Sequence, residues 1–176
     1  VYPCEADCQF CSFAKSTTCF TEHVTMSVEE VVKRAKEFTK GGDLYGLWLM
    51  CMNSYDEDYF LEVVKAVRAA IPPQTMLFSN IGDTDVEYFE KLKAAGLDGA
   101  YHVKRIGEGE LTKIAPERRE ATIAAAHEAG LQVQDCCEPI GAETPNEAIA
   151  TRLFEIKQRD DDYGVYNGSG VMKRNS

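Results

Sequence analysis

A chain of 176 residues with 44% hydrophobic and 27% charged residues has the length and mix of one globular domain with a sizeable core. No apolar run approaches the roughly 20 residues that span a bilayer, no basic-then-apolar leader opens the chain, and a formal net charge of -10 argues against nucleic acid as a partner. Seven cysteines, an odd number without a secretory signal, point to metal ligands or free thiols in a reducing, cytoplasmic setting rather than to a disulfide framework.

Near the N-terminus, Cys4-Glu5-Ala6-Asp7-Cys8-Gln9-Phe10-Cys11 spaces three cysteines as C-x3-C-x2-C, with an aromatic directly before the last. Thiolates are the usual ligands of iron–sulfur clusters, and three on one short loop can hold three corners of a cubane and leave the fourth iron open. With Cys19 as a fourth ligand, the same residues would instead close a tetrahedral zinc centre. Next, Ser27-Val28-Glu29-Glu30 reads as a capping box. The helix it starts carries Val28, Val31, Val32, Ala35 and Phe38 as one inward stripe and stops at Gly41-Gly42. The continuous apolar run over 44–52 has the character of a buried parallel strand.

The pattern repeats. Phe60, Val63, Val64 and Val67 mark a helix ending before Pro72-Pro73, and 75–79 is a short apolar strand. Thr84-x-x-Glu87 caps a helix carrying Val86, Phe89 and Leu92. Gly96-Leu97 and Gly130-Leu131 end two Ala-rich helices and lead into strands near 98–105 and 131–138, with Pro116 in the first turn of the helix between. Lys113, Arg118 and Arg119 read as a solvated start to that helix. Thr144-Pro145-x-Glu147 opens another helix, with Ile149, Leu153 and Ile156 facing inward, and 163–172 supplies one more strand.

Strands alternating with helices imply an α/β parallel sheet, either open and doubly wound or the arc of a barrel. The active face lies at the strand C-terminal ends, where Cys11, Cys51, Arg105, Cys136 and Glu143 fall. Alternation puts Cys136 with Gln132 and Gln134, towards a lumen, and Cys137 with Leu131 and Val133, towards the helices.

The cysteine spacing, the aromatic and the βα array together resemble the radical S-adenosylmethionine (radical SAM) superfamily. The resemblance implies a parallel (β/α) partial TIM barrel and a [4Fe-4S] cluster on Cys4, Cys8 and Cys11, with S-adenosylmethionine chelating the fourth iron. Reductive cleavage would then give a 5'-deoxyadenosyl radical that abstracts hydrogen from substrate. By the same resemblance Phe10 flanks the adenine. Asn53, in Met50-Cys51-Met52-Asn53, stands where the family has a glycine-rich motif for the methionine amino group, so the backbone takes that task. The segment from His102 to Gly109 resembles the strand-four segment of biotin-synthase-like members, with Arg105 pairing the methionine carboxylate and Glu108 beside it. An Arg105–Glu108 surface ion pair is the plainer alternative. Ile140-Gly141-Ala142-Glu143 resembles the motif that contacts adenine and ribose, although Gly141 also suits an ordinary strand-to-helix turn.

Within the superfamily the chain looks most like biotin synthase, through Cys-x-Phe-Cys-Ser, Thr-Met-Ser-Val-Glu-Glu-Val and Glu-Pro-Ile-Gly-Ala-Glu-Thr-Pro. That likeness implies sulfur insertion into dethiobiotin from an auxiliary cluster, for which Cys51 and Cys136 are the candidates. The strand over 75–79 lacks the cysteine that biotin synthase has there, and the late arginine is missing. A radical SAM mutase or maturase without a sulfur donor therefore stays open, as does a zinc-stabilised, non-catalytic binding domain. The implied partners are a small dethiobiotin-like substrate and a reductant protein such as flavodoxin or ferredoxin, with a homodimer allowed and neither nucleic acid nor membrane. The first strand is reduced to Val1-Tyr2-Pro3 and the last barrel units are lacking, so the core is expected to extend at both ends.

Overall fold

The computed structural model describes residues 3–17, 19, 21–163 and 170–173. The apolar runs form strands β1 (Gly46–Met50), β2 (Met76–Asn80), β3 (Gly99–Tyr101) and β4 (Gln132–Gln134), hydrogen-bonded in that order in one parallel sheet. A further strand, β5 (Cys136–Ile140), pairs in parallel with β6 (Gly170–Lys173). Helices α1 (Val28–Thr39), α2 (Glu57–Ala70), α3 (Val86–Ala94), α4 (Pro116–Glu128) and α5 (Asn146–Tyr163) intervene. A doubly wound sheet reverses its strand order part-way; this one does not, which is the order of a barrel arc. Of the expected last strand, 164–169 lie outside the described residues, as do residues 1 and 2 of the segment before the cysteines.

Short polar side chains start the helices. Ser27 Oγ accepts from the Glu30 N–H at 3.2 Å, as the capping box requires. Ser27→Ala should therefore cost about 1 kcal/mol of stability, read as a lower urea midpoint at unchanged slope. Asp56 and Asp85 cap α2 and α3 through the Tyr59 and Tyr88 amides, both at 2.9 Å. Asp85 thus takes the role the spacing assigns to Thr84. Thr144 does not cap α5 either; its hydroxyl accepts from the Gly141 N–H at 2.9 Å in the preceding turn.

One face of the sheet builds the core. Leu49, Leu77, Ala100 and Val133 pack against Phe60, Val64, Val67, Phe89, Leu92, Ile123 and Ala126 of the helices. The opposite, lumen face carries Trp48, Phe78, Tyr101 and Gln134. Phe78 stacks on Trp48 with ring centroids 5.0 Å apart, and the Trp48 indole N–H donates to Gln134 Oε1 at 2.8 Å. Gly99 gives the Phe78 ring its room, since a Cβ there would lie 2.5 Å from it.

Two inward assignments fail. Phe38 is 72% exposed because the buried stripe of α1 runs through Ala35 to Thr39, whose hydroxyl donates to the Ala35 carbonyl at 2.9 Å. Leu153 is 41% exposed because its neighbour Arg152 takes the inward position and reaches Asp135. Asp135 also breaks the single strand expected over 131–138 into β4 and β5. Its carboxylate accepts from the Cys136 N–H at 2.8 Å and is held by Arg152 and Arg159 of α5. Alternation survives the break. Cys137 Sγ lies 3.9 Å from the Ile149 carbonyl of α5, on the helix side, and Cys136 and Glu138 reach Tyr101 on the lumen side; a register shift follows before Ile140. No helix among the described residues is long and apolar enough to cross a membrane.

Candidate cluster and cofactor site

The cysteine loop is a succession of tight turns. The Asp7 N–H donates to the Cys4 carbonyl at 3.2 Å, the Cys11 N–H to that of Cys8 at 3.0 Å and the Ala14 N–H to that of Cys11 at 3.1 Å. The Cys4 N–H donates to the Phe13 carbonyl at 2.7 Å, which closes the loop on itself. Between the first two cysteines Asp7 has φ +49°, a left-handed conformation that aspartate tolerates better than most residues. Asp7 Oδ1 accepts from the Ser16 N–H at 2.9 Å, and Oδ2 lies 2.7 Å from Lys113 Nζ. Lys113, then the Ser16 amide, hold the Asp7 carboxyl down at about 2 against an ordinary 3.8. This contribution to stability is complete above the ordinary value and is lost only as pH falls through about 2. Cys4, Cys8, Cys11 and the exposed Cys19 are all free thiols.

A second loop, over 106–114, leans on the first. The Gln9 N–H donates to the Leu111 carbonyl and the Lys113 N–H to the Ala6 carbonyl, both at 2.9 Å. At its base the Arg105 guanidinium lies 5.9 Å from the centre of the Phe10 ring, within cation–π range. Arg105 Nε is 3.1 Å from Glu138 Oε1, as a charge contact whose N–H is not aligned for a hydrogen bond, and Nη1 is 3.9 Å from Glu108 Oε2. Glu108 accepts from the Arg105 N–H at 3.0 Å and from the Thr112 hydroxyl at 2.6 Å. Glu138 accepts from the Tyr101 phenol at 2.9 Å. Burial works against the Arg105 charge, but Glu138 and Glu108 outweigh it and hold the guanidinium's pKa above its ordinary value. The Arg105–Glu108 pair is therefore buried, not a surface pair, with the Glu108 side chain 1% exposed. Burial pushes the Cys8 thiol up to about 11, and Arg105 opposes that.

Behind these groups Asp83, His102 and Arg119 form a buried cluster. Arg119 Nη1 donates to Asp83 Oδ1 at 3.0 Å, and His102 Nε2 is 3.0 Å from the same oxygen. A carboxylate cannot donate, so Nε2 carries the proton and its N–H donates a hydrogen bond to Asp83. The 3.3 Å contact of Arg119 Nη1 with Nε2 is then packing between two donors. Burial lowers the His102 pKa, which keeps the ring neutral. The helix start expected to be solvated is so only in part: Arg118 is exposed, whereas Arg119 is 5% exposed and faces Asp83 and Glu108.

The other sequence-derived positions lie along the strand ends. Asn53 follows β1, and its backbone is so close to the next loop that a Cβ on Gly82 would meet the Asn53 carbonyl at 1.8 Å. The Asn53 Oδ1 atom is buried without a hydrogen-bond partner. Ile140 ends β5, and Gly141 leaves a space filled by the Glu143 carboxylate, 2.5 Å from where its Cβ would stand. Cys51 and Cys136 are not brought together. Cys51 keeps the parity of Leu47 and Leu49 and packs against the core on the helix side, where burial pushes its thiol up to about 12. Cys136 lies on the lumen face beside Tyr101. Cys51 thus lies after β1 on the helix side, and Cys136 in the β5–β6 pair on the lumen side.

With this geometry in view, the family model of the radical SAM superfamily matches residues 3–151. The chain belongs to that superfamily. No curated protein matches it. Among solved structures, methylornithine synthase (PylB) superposes with TM-score 0.81 at 18% identity, covering 99% of this chain and 52% of that one. HydG, a maturase of the [FeFe]-hydrogenase, gives TM-score 0.76 at 17% identity over 98% of this chain and 41% of that one. HydG from Carboxydothermus hydrogenoformans gives 0.76 at 19% identity, with 99% and 43% covered. At these identities the likeness shows the fold, and this radical SAM chain spans about half the length of those structures or less.

Radical SAM proteins use a [4Fe-4S] cluster and S-adenosylmethionine. The residues present fit both. Three free, part-exposed thiols on one loop suit a cubane with an open corner. Among the described residues no group of three or more His, Cys, Asp or Glu side chains is already gathered to hold a metal ion. The orphaned Asn53 Oδ1 and the Arg105 face on Phe10 supply polar and aromatic groups at the same strand ends. Glu138 and Tyr101 escaped the sequence reading, although the alternation that turns Cys136 to the lumen turns Glu138 there too.

Proposed function

We propose that this radical SAM chain is the cluster-bearing part of an enzyme that cleaves S-adenosylmethionine reductively and abstracts hydrogen from a small polar substrate, without a sulfur donor on Cys51 and Cys136. The observation that carries it is the loop of three free thiols fixed beside the Arg105–Phe10 pair at the strand C-terminal ends. When bound, the cluster and S-adenosylmethionine supply one-electron cleavage of the sulfonium and a carbon radical. Cys4, Cys8 and Cys11 would hold the cluster, with a flavodoxin or ferredoxin as the external reductant.

The protein's own part is to bind, orient and exclude water. Phe10 offers a flat wall to the adenine, stiffened by Arg105 on the ring. Arg105 is already shared between Glu138 and Glu108, so a methionine carboxylate would take the guanidinium edge those two leave open. Asn53 would meet the methionine amino group, with Oδ1 as an added acceptor. Ile140, Gly141 and Glu143 would line the ribose side. Sulfur insertion into dethiobiotin loses its support in this chain, because the two cysteines it needs face opposite ways.

The test uses the full-length protein, reconstituted anaerobically with iron and sulfide, reduced with dithionite and given S-adenosylmethionine. 5'-Deoxyadenosine should form with about four irons per chain. No 5'-deoxyadenosine sinks the reading, and about eight irons would restore a second cluster.

A further inference from the structure

The cysteine loop is fastened from outside itself by residues that are not expected ligands. We propose that Asp7 and Lys113 form a brace that fixes the shape of the cysteine loop and sets the reduction potential of the cluster it holds. The proposal rests on Cys4, Cys8 and Cys11 as the ligands. Among the described residues Asp7 is the one non-glycine with positive φ, and it sits between two of those cysteines. Its carboxylate spans the loop, taking the Ser16 N–H beyond the last cysteine and the Lys113 ammonium from the 106–114 loop. The two backbone bonds between the loops, Gln9 to Leu111 and Lys113 to Ala6, flank that ion pair on either side. Since the 106–114 loop follows directly on Arg105, whose guanidinium lies on Phe10, the brace ties the cysteines to the group that orders the aromatic wall. Asp7 and Lys113 are thus positioning residues.

The pair also balances charge where charge matters. Cluster potentials follow the net charge and hydrogen bonds around the sulfurs. The half-buried Asp7 side chain stands next in sequence to Cys8, and Lys113 balances its charge while itself reaching into solvent. Removing either partner loosens the loop in the same way. The two removals leave opposite charges behind.

The experiment compares full-length wild type, Asp7→Asn, Lys113→Met and the double variant. Asparagine keeps the left-handed backbone and an acceptor for Ser16, so it isolates the ion pair. Three readouts apply: iron release from the anaerobically reconstituted protein to a ferrous chelator, the midpoint potential by spectroscopically monitored titration, and hydrogen exchange at the Gln9 and Cys11 amides of the iron-free protein. Each single variant should release iron and exchange those amides roughly fivefold faster, and the double variant no faster than the worse single. The potential should rise in Asp7→Asn, fall in Lys113→Met and return near wild type in the double. Unchanged exchange in both singles overturns the brace, and potentials moving in the same direction overturn the charge balance. If the wild type takes up no iron, the cluster assignment fails and takes the charge balance with it, while exchange in the iron-free protein still decides the brace.

Discussion

Cys8→Ser should leave the fold intact and lower 5'-deoxyadenosine formation by more than about a hundredfold, since losing a ligand costs more than the 10–100-fold of losing a ligand's supporting contact. The Cys8 thiol makes a weak contact, 3.9 Å from the Ala6 carbonyl, so a hydroxyl in its place disturbs little there. What disappears is a thiolate that iron prefers strongly over an alcohol. Iron content should fall with activity while the thermal midpoint of the iron-free protein stays put. Cys19→Ser is the control, and its exposed side chain predicts wild-type iron and activity. A Cys8→Ser protein that keeps about four irons and still cleaves S-adenosylmethionine removes Cys8 from the ligand set. Loss of metal from Cys19→Ser would point back to the zinc centre.

Glu138→Ala carries the largest expected loss of stability, about 3 kcal/mol, or roughly 10 °C in Tm for a chain of this size. Among the described residues the substitution leaves the Arg105 guanidinium with the Glu108 carboxylate at 3.9 Å, and it removes the Glu138 acceptor from the Tyr101 phenol. A buried charge that loses its partner is the costly case, because desolvation remains when the attraction is gone. Glu138→Gln should cost less, as it keeps an acceptor for Tyr101. Adding Arg105→Met to Glu138→Ala should recover part of the loss by removing the orphaned charge, a coupling that urea titrations of the four proteins would measure. If Glu138→Ala unfolds at the wild-type midpoint, Arg105 does not depend on that carboxylate.

Much of the architecture was legible because local signals and the fold agree. Ser27 caps α1, Pro116 begins α4, and the glycines at 96 and 130 end their helices with positive φ. The cysteine spacing was legible because three ligands must lie on one short loop. Errors fell where long-range charge pairs decide. Arg119 reads as a surface cation until Asp83 and Glu108 arrive from other loops to bury it. Asp135 breaks a strand through arginines 17 and 24 residues away, a partnership no local pattern reveals. Cys51 is different. Counting by twos from Leu47 and Leu49 turns it to the helices, by the same alternation that turns Cys136 to the lumen.

The Trp48–Phe78 stack has a consequence for size. It lies one lumen layer below Met50, Asn80 and Tyr101, and successive layers on one face of a strand are about 6.6 Å apart. Along this arc the rings act as a depth stop, so a guest entering from the cysteine loop meets a flat aromatic plate after a short descent. Shaving Phe78 to leucine would deepen the well and admit longer guests.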